Sequence, residues 1–162
     1  MSDSLIRPAR LGDLPALTEL YNHYIAETPI TFDLKPWTPE ERRPWFDAHA
    51  ETGRHRLLVA EVDGSVAGYA STSRFRPKAA YDTTAETSVY CHAAHTGRGL
   101  GTALYRALFE AVRHEDIHRF VAGVTLPNPR SVALHERCGF QQIGLLSEVG
   151  RKFGQYWNVA WF

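Results

Sequence analysis

TAETSVYCHAAHTGRGLGT, residues 84–102, holds the strongest structural signal in the chain. Residues 85–92 have the composition of a β-strand, and the apolar residues that follow recur at helical spacing, which predicts a helix over 102–114. Glycines between a strand and a helix let backbone amides approach an anion, and the helix N-terminus adds partial positive charge. The stretch therefore indicates a phosphate cradle, although a plain turn that needs glycine for its backbone angles would have the same pattern.

Two nucleotide-binding loops are excluded by the residues that follow Gly101. A P-loop needs Gly-Lys-Ser/Thr at the start of the helix, whereas Thr102 and Ala103 follow here. The dinucleotide fingerprint needs G-x-G-x-x-G, and counting from Gly97 puts Thr102 at its last position. Neither ATP nor NAD is indicated.

The flanking sequence predicts one α/β (α+β) domain over residues 1–162, built on a mixed sheet. Before residue 84, the patterns predict a strand at 5–7, a helix at 14–26 capped by Asp13, a helix of about ten residues opened by a Thr38–Glu41 capping box, and strands 56–62 and 65–71 around an Asp63-Gly64 turn. After residue 114 they predict a strand at 120–124, a helix capped at Asn128 and ended by Gly139, and strands near 140–147 and 156–162.

Composition narrows the possible function. The chain has 162 residues, 44% of them hydrophobic, with 18 Lys and Arg against 18 Asp and Glu. A net charge of zero argues against a nucleic-acid partner, because such proteins neutralise phosphates. The longest stretch without a charged residue is eleven residues, too short for a spanning helix, and the N-terminus has no apolar run. Two cysteines make no disulfide framework. We therefore expect a cytoplasmic protein that does not bind a membrane.

Several motifs together resemble a known superfamily. The glycine loop 97–101, Asn128–Ser131 and Leu134–Phe140 are similar to motifs A and B of the GCN5-related N-acetyltransferase (GNAT) superfamily. More closely, the chain resembles the phosphinothricin/methionine sulfoximine N-acetyltransferase family at 21–22, 31–32, 45–46, 75–77, 81, 84–90 and 150–154. The resemblance implies a GNAT fold, with a mostly antiparallel sheet flanked by helices. It also implies an enzyme that moves an acetyl group from acetyl-CoA to a small amino-acid-like amine.

The resemblance further implies a binding site for acetyl-CoA and no metal. Its pyrophosphate would lie on the amides of Gly97, Arg98, Gly99, Leu100, Gly101 and Thr102. Its pantetheine would pair like an extra strand with Val89, Tyr90 and Cys91, given a sheet that splays apart beside residue 90. Asn128 would bind the cofactor arm, although asparagine before proline is also an ordinary helix cap. Thr96 stands where the superfamily usually has Gln or Arg, a lost phosphate contact that Arg98 partly offsets.

Acetylation of an amine needs a proton acceptor, because amines are largely protonated at neutral pH. By the resemblance this base is Glu86, which shares a strand face with Ser88 and Tyr90; the alternative is a solvated carboxylate. Amides near 89–91 would stabilise the developing oxyanion. His135 stands where many superfamily members have a tyrosine that protonates the leaving thiolate. It is a catalytic candidate, but it could equally contact substrate or pack against the sheet, so the acid stays unassigned.

The acceptor site is expected around a basic segment after the second hairpin strand. By family analogy the substrate contacts are Phe32, Arg74, Arg76, Pro77, Lys78, Tyr81, Glu86, Thr87 and Ser88. The cations could hold the carboxylate and the phosphinate or sulfoximine end of the acceptor, or could be an ordinary solvated loop.

The sequence also contains a metal-like motif and an aromatic C-terminus, and it allows other functions. Cys91-His92-x-x-His95 has metal-like spacing, but adjacent strand residues point to opposite faces, so no metal is expected. The aromatic C-terminus, 156–162, suits a buried strand or a subunit contact, and the family commonly forms homodimers. The alternative functions are acetylation of another small amine or of a peptide N-terminus, and a non-catalytic CoA-binding sensor.

Overall fold

Two sheets and four helices make up residues 4–162, the part of the chain that the computed structural model describes. The five-stranded sheet has the order β1-β2-β3-β4-β5 and the three-stranded sheet the order β6-β8-β7. The strands are β1 (Leu5–Pro8), β2 (Leu57–Val62), β3 (Ser65–Arg74), β4 (Thr84–Cys91), β5 (Arg119–Val121), β6 (Gly123–Leu126), β7 (Gly144–Lys152) and β8 (Gln155–Trp161). The helices are α1 (Leu14–Glu27), α2 (Pro39–Asp47), α3 (Leu100–Ala111) and α4 (Pro129–Arg137).

The sheets are antiparallel except where β4 runs parallel to β5. The prediction of a mixed, mostly antiparallel sheet flanked by helices is therefore confirmed. Alternation along β2 explains how the helices attach: Leu58 and Ala60 pack with Leu104 of α3, whereas Leu57 and Val59 pack with α1 on the other face. The larger sheet thus lies between α3 on one side and α1 with α2 on the other. No helix within residues 4–162 is long and apolar enough to cross a membrane.

Two of the three predicted helix caps form. Thr38 Oγ1 accepts a hydrogen bond from the Glu41 amide at 3.2 Å, and Glu41 Oε2 accepts one from the Thr38 amide at 2.9 Å. The Asn128 side chain likewise accepts from the Ser131 amide at 3.2 Å. The prediction for Asp13 was wrong, because its carboxylate accepts from the Arg7 guanidinium and the Arg10 amide instead of capping α1.

Other differences from the predicted boundaries have physical causes. Helix α3 begins at Leu100 rather than 102, because Gly99 takes a positive φ of 82° and serves as its N-cap. The strand predicted at 120–124 is divided at Ala122, whose backbone pairs with Phe162 as the chain passes between sheets. The strand predicted near 140–147 lies at Gly144–Lys152.

That division opens the edge of β4. Strand β5 pairs with β4 only from Thr84 to Glu86, and β6 then pairs with β8. Within the described part of the chain, the rest of β4 has a strand partner on one side only. The sheets splay apart beside residue 90, as the sequence analysis required for a bound extended chain.

Candidate active site

The two faces of β4 carry different chemistry. The register pairs Tyr69 with Tyr90, Ser71 with Ser88, and Ser73 with Glu86. Because Tyr69 and Tyr90 pack with α1, these six side chains lie on the α1/α2 face. The alternate residues Val89 and Cys91 pack against the core around α3. Glu86 and Ser88 therefore share a face, as predicted.

A cavity of about 450 Å³ lies over the α1/α2 face. The hydroxyls of Ser71, Ser73 and Ser88 make no hydrogen bond to any residue in the range 4–162, so they are free to bind a ligand. Aromatic and charged side chains complete the wall: Tyr21, Asp33, Trp37, Glu41, Arg42, Trp45, Tyr69 and Tyr90. The sequence analysis missed most of this wall, because α1 and α2 are brought to the sheet only by tertiary packing.

A narrower slot of about 50 Å³ lies at the open edge of β4, between β4 and β6. Its wall comprises Ile30, residues 87–90, Tyr105, residues 123–125, Asn128, Ser131 and His135. Ser88 and Tyr90 line both the slot and the larger cavity. The two spaces thus meet across β4.

The backbone of β4 offers alternate residues to this slot. The His92 amide donates to the Ala67 carbonyl at 2.8 Å, so every second residue from there, including Tyr90, pairs with β3. The amides and carbonyls of Val89 and Cys91 consequently face the open edge. The Cys91 carbonyl also accepts from the Tyr24 hydroxyl at 2.6 Å. The backbone of Tyr90 is bonded to Tyr69 and is not free at this edge, although Tyr90 lines the slot.

The glycine loop presents unpaired amides at the start of α3. The first hydrogen bond of the helix runs from the Ala103 amide to the Gly99 carbonyl at 3.0 Å, so the amides of 100–102 have no partner within the helix. Gly97 has a φ of 76° and Gly99 of 82°, and nothing lies within 4 Å of a Cβ placed at either. Glycine is needed there for its backbone angles, and the space in front of the loop is open to an anion.

A second cation reaches this loop from α4. Arg130 Nη1 donates to Thr96 Oγ1 at 3.3 Å, while Arg98 lies exposed within the loop itself. The sequence analysis missed Arg130, whose only signal was its place two residues after Asn128. Outward amides, a helix N-terminus and two guanidinium groups suit a pyrophosphate. Asn128 lines the slot while its side chain caps α4.

Glu86 is a half-buried carboxylate that accepts no hydrogen bond from a described residue. Burial raises its pKa above the usual value, and the positive charge of Arg76 opposes that rise. A carboxylate with a raised pKa and free lone pairs is suited to accept a proton.

His135 is only 3% exposed and both of its ring nitrogens are engaged. Nδ1 donates to the Ser131 carbonyl at 2.7 Å, since that oxygen can only accept, and Nε2 then accepts from the Tyr105 hydroxyl at 2.9 Å. Burial lowers the pKa of His135, which favours this neutral ring. The ring also stacks on Phe162. Of the roles left open by the sequence, the structure supports packing against the sheet and gives His135 no free proton to donate.

The Thr87 side chain lies on the other face of β4 from the cavity. Its side chain is 4% exposed and points away from Glu86, with Oγ1 at 3.2 Å from the Tyr105 hydroxyl and 3.4 Å from the Val121 carbonyl. The alternation of strand side chains puts it on the α3 face. Thr87 lines the slot, but its hydroxyl is bonded on the α3 side and is not available to an acceptor on the cavity side.

The basic segment and its neighbours line neither space. Of the predicted acceptor contacts, those that line neither space are Phe32, Arg74, Arg76, Pro77, Lys78, Tyr81 and Glu86, although Glu86 lies across from Ser73 in the cavity wall. Arg74 donates to the Pro77 carbonyl at 2.8 Å and to Asp82 at 3.3 Å, and Phe32 lies so close to Gly150 that a Cβ there would overlap its ring. Arg76 remains near the site through its charge on Glu86. Thus the structure joins only Arg76 of this segment to the catalytic candidate.

The residues considered as metal ligands or nucleophiles line neither the cavity nor the slot: Cys91, His92 and His95. Cys91 packs its thiol against the α3 core, and burial raises its pKa to about 11. His92 and His95 follow in the turn after β4, with ring centroids 6.2 Å apart. Within residues 4–162 no three His, Cys, Asp or Glu side chains cluster as a metal site would need.

The chain is similar to a known protein family and to several known proteins. The model of the acetyltransferase (GNAT) family matches residues 17–140. A phosphinothricin N-acetyltransferase of Streptomyces coelicolor is 53% identical over 97% of this chain and 93% of its own length. An L-methionine sulfoximine/L-methionine sulfone acetyltransferase of Pseudomonas paraeruginosa is 36% identical over 96% and 90%. The structure of a GNAT superfamily phosphinothricin acetyltransferase from Sinorhizobium meliloti, in complex with acetyl-CoA, superposes with a TM-score of 0.90 at 30% identity, covering 99% of this chain and 86% of that one.

Proposed function

The chain belongs to the acetyltransferase (GNAT) family and is an acetyl-CoA-dependent N-acetyltransferase, and from that premise we propose that it acetylates the α-amine of small amino-acid-like acceptors. Phosphinothricin and methionine sulfoximine are the two acceptors proposed, within a single domain spanning residues 1–162. Relatives named for these two compounds align with nearly the whole chain. The structural observation that carries the proposal is a free carboxylate, Glu86, directly across from Ser73 in the wall of a cavity that meets an open strand edge.

The residues present fit acetyl-CoA. Amides at the start of α3, with Arg98 and Arg130, would hold the pyrophosphate, and the free backbone groups of Val89 and Cys91 would pair with the pantetheine arm. The bound co-substrate supplies a thioester whose acetyl group is transferred. The Val89 amide, which faces the slot, is the candidate donor for the oxyanion that develops on that group.

Glu86 is the proposed general base. It removes a proton from the acceptor ammonium, directly or through a water, so that the nitrogen lone pair can attack. Its raised pKa makes it a stronger acceptor than an exposed glutamate. Transfer is direct, since the thiol of Cys91 faces the core and its pKa of about 11 leaves little thiolate at neutral pH.

A homodimer in the cytoplasm is the proposed state of the enzyme. The second sheet exposes a group of large apolar side chains, which a second copy would cover: Ile143, Leu145, Leu146, Val149, Phe153 and Tyr156. Light scattering after size exclusion should give twice 18.3 kDa. A single-chain mass at assay concentration would contradict the dimer without touching the proposed reaction.

The proposed reaction is tested by following CoA release from acetyl-CoA with L-amino acids, phosphinothricin, methionine sulfoximine, polyamines and peptides with free N-termini. We expect the highest kcat/KM on the two amino-acid analogues. Turnover confined to polyamines or peptides would refute the acceptor class. Acetyl-CoA binding without turnover on any amine would instead indicate a CoA-binding sensor.

A further inference from the structure

Arg42, in the wall of the larger cavity, is a buried cation without a carboxylate partner. It is 5% exposed, and its guanidinium donates to the Leu17 carbonyl at 2.6 Å and to the Tyr69 hydroxyl at 2.9 Å. The guanidinium carbon lies 4.2 Å from the ring centroid of Tyr21 and 3.9 Å from that of Trp45. None of the ion pairs formed within residues 4–162 includes Arg42. A buried charge held only by neutral groups is costly unless a counter-ion completes it.

Within residues 4–162, the two carboxylates that line this cavity form no ion pair with Arg42 and accept hydrogen bonds from other groups. Asp33 accepts from the Tyr21 hydroxyl at 2.8 Å and from Trp37 Nε1 at 3.0 Å. Glu41 belongs to the capping box of α2. A guanidinium has five N–H donors, and two of those on Arg42 are used. Arg42 therefore keeps donors and charge for a ligand in the cavity.

The free hydroxyls form a path from Glu86 to this cation. Along paired strands the side chains run from Ser73 and Glu86, through Ser71 and Ser88, to Tyr69, whose hydroxyl bonds Arg42. Four residues of strand, from 86 to 90, span about 13 Å at roughly 3.3 Å per residue. A small amino acid is shorter than this span, so an acceptor bound along the path would be met from its two ends by the long side chains of Glu86 and Arg42.

The α-carboxylate of such an acceptor must stay near the amine, because both groups are bonded to one carbon. Arg76 is the cation whose charge acts on Glu86, and Arg74 is held by Asp82. Separate cations would thus bind the two ends of the acceptor: Arg76 would bind the α-carboxylate, and Arg42 would bind the oxygen-bearing end of the side chain.

We propose that the cavity between α1, α2 and the β3–β4 face binds the oxygen-bearing end of the acceptor side chain, with Arg42 as its counter-ion and the three serine hydroxyls as donors. This inference rests on the proposed acetyltransferase function and adds a specificity determinant to it. An acceptor that ends in an oxyanion, such as a phosphinate, completes the buried charge of Arg42. A neutral sulfone gains hydrogen bonds but no ion pair, so it depends less on Arg42.

Arg42→Gln tests the proposal, with Arg43→Gln as the matched control. Arg43 is the next residue on α2, exposed and paired with Asp47. We expect Arg42→Gln to lower kcat/KM for phosphinothricin about 10- to 100-fold more than for methionine sulfone, since a charge-assisted hydrogen bond is stronger than a neutral one. Acetyl-CoA affinity should not change in either variant. Equal losses on the two acceptors would refute the proposal while leaving the acetyltransferase function standing.

Because Arg42 also ties α2 to α1, a second variant leaves the buried cation in place. Ser73→Leu should fill part of the cavity from a position whose hydroxyl has no partner in the described chain. We expect the loss of kcat/KM on phosphinothricin to be at least tenfold larger than the loss on alanine, whose methyl group does not extend into the cavity. Equal changes on both would again refute the cavity.

Direct binding separates this proposal from the proposed reaction. Trp37 and Trp45 line the cavity, so phosphinothricin that binds there should change their fluorescence. Saturable binding by the wild-type protein that Arg42→Gln weakens at least tenfold would support the site, even if no amine is acetylated. Binding that Arg42→Gln leaves unchanged would refute the site, and so would the absence of any saturable response.

Discussion

The α1/α2 face and the α3 face of β4 differ in one respect that separates function from structure: whether their polar groups already have partners. On the α1/α2 face, the Glu86 carboxylate and the Ser88 hydroxyl have no partner among the described residues; Ser88 lines a cavity, and Glu86 lies across from Ser73, which also lines it. On the α3 face, Thr87, Tyr105 and His135 form a buried chain of hydrogen bonds. The two faces are built from adjacent residues of one strand.

The difference follows from the cost of burying polar groups. A buried group that is fully hydrogen-bonded stabilises the fold and has nothing left for a ligand, whereas a free group near a cavity gains its partner only on binding. We therefore assign proton transfer and acceptor recognition to the α1/α2 face, and stability to the hydrogen bonds of Thr87, Tyr105 and His135, although these three residues also line the slot. Each prediction below tests that assignment.

Glu86→Gln should have the largest effect. The amide has the shape of the carboxylate but cannot accept the amine proton, so kcat/KM should fall about 100- to 10,000-fold, the usual range for a general base. Acetyl-CoA affinity and thermal stability should stay at wild-type values, because no described residue hydrogen-bonds this carboxylate. Steady-state kinetics, calorimetric titration with acetyl-CoA and thermal unfolding measure the three quantities.

The neighbouring Thr87→Val is the matched control on the other face. It removes a hydroxyl bonded to Tyr105 and Val121, so it should lower stability while keeping kcat/KM within about threefold. Should Glu86→Gln instead retain wild-type turnover, the α1/α2 face would lose its catalytic assignment. A ligand response that is indifferent to Glu86→Gln would favour a sensor.

Sequence patterns alone could assign residues to β4 but could not tell which of its polar groups were free. The glycine loop, the capping box at Thr38 and the cap at Asn128 are local signals, and each was predicted correctly. Whether a polar group is hydrogen-bonded depends on tertiary contacts. Tyr105 bonds His135, 30 residues away in sequence, and Arg42 bonds Tyr69, 27 residues away. For that reason the sequence did not show that His135 and Thr87 are hydrogen-bonded within the fold, and Arg42 gave no signal.

Tyr105→Phe should have an intermediate effect, on stability rather than rate. It deletes the hydroxyl that donates to His135 Nε2 at 2.9 Å and leaves that nitrogen buried without a partner. We expect the free energy of unfolding to fall by about 1–3 kcal/mol, the cost of an unsatisfied buried group. Urea unfolding measures this loss, and kcat/KM should remain within about threefold.

Tyr156→Phe controls for the loss of a tyrosine hydroxyl. Its hydroxyl makes no hydrogen bond to a described residue, and the substitution keeps the ring for any contact with a second copy, so stability should change by less than about 0.5 kcal/mol. If Tyr105→Phe kept its stability but lost kcat 100-fold, the hydrogen-bond chain through His135 would take part in the reaction. The contrast between the two faces would then fail.

Arg76→Ala should have the smallest effect on the reaction, through the charge it places near Glu86. That charge opposes the burial that raises the pKa of Glu86, so its removal should raise this pKa further. The protonated carboxyl cannot act as a base, so kcat/KM falls as pH drops through this pKa. A higher pKa therefore moves the acid limb of the pH profile to higher pH.

The same substitution should raise the acceptor KM without changing acetyl-CoA affinity, because Arg76 is proposed to bind the α-carboxylate at the amine end. Arg43→Ala is the matched control. Arg43 is paired with Asp47 and does not act on the pKa of Glu86, so the acid limb of the pH profile of this variant should stay in place. If Arg76→Ala weakened acetyl-CoA binding instead, the segment would belong to the cofactor site. An acid limb displaced to lower pH would mean that the group titrating there is not Glu86, since losing a nearby cation can only make a carboxyl harder to ionise.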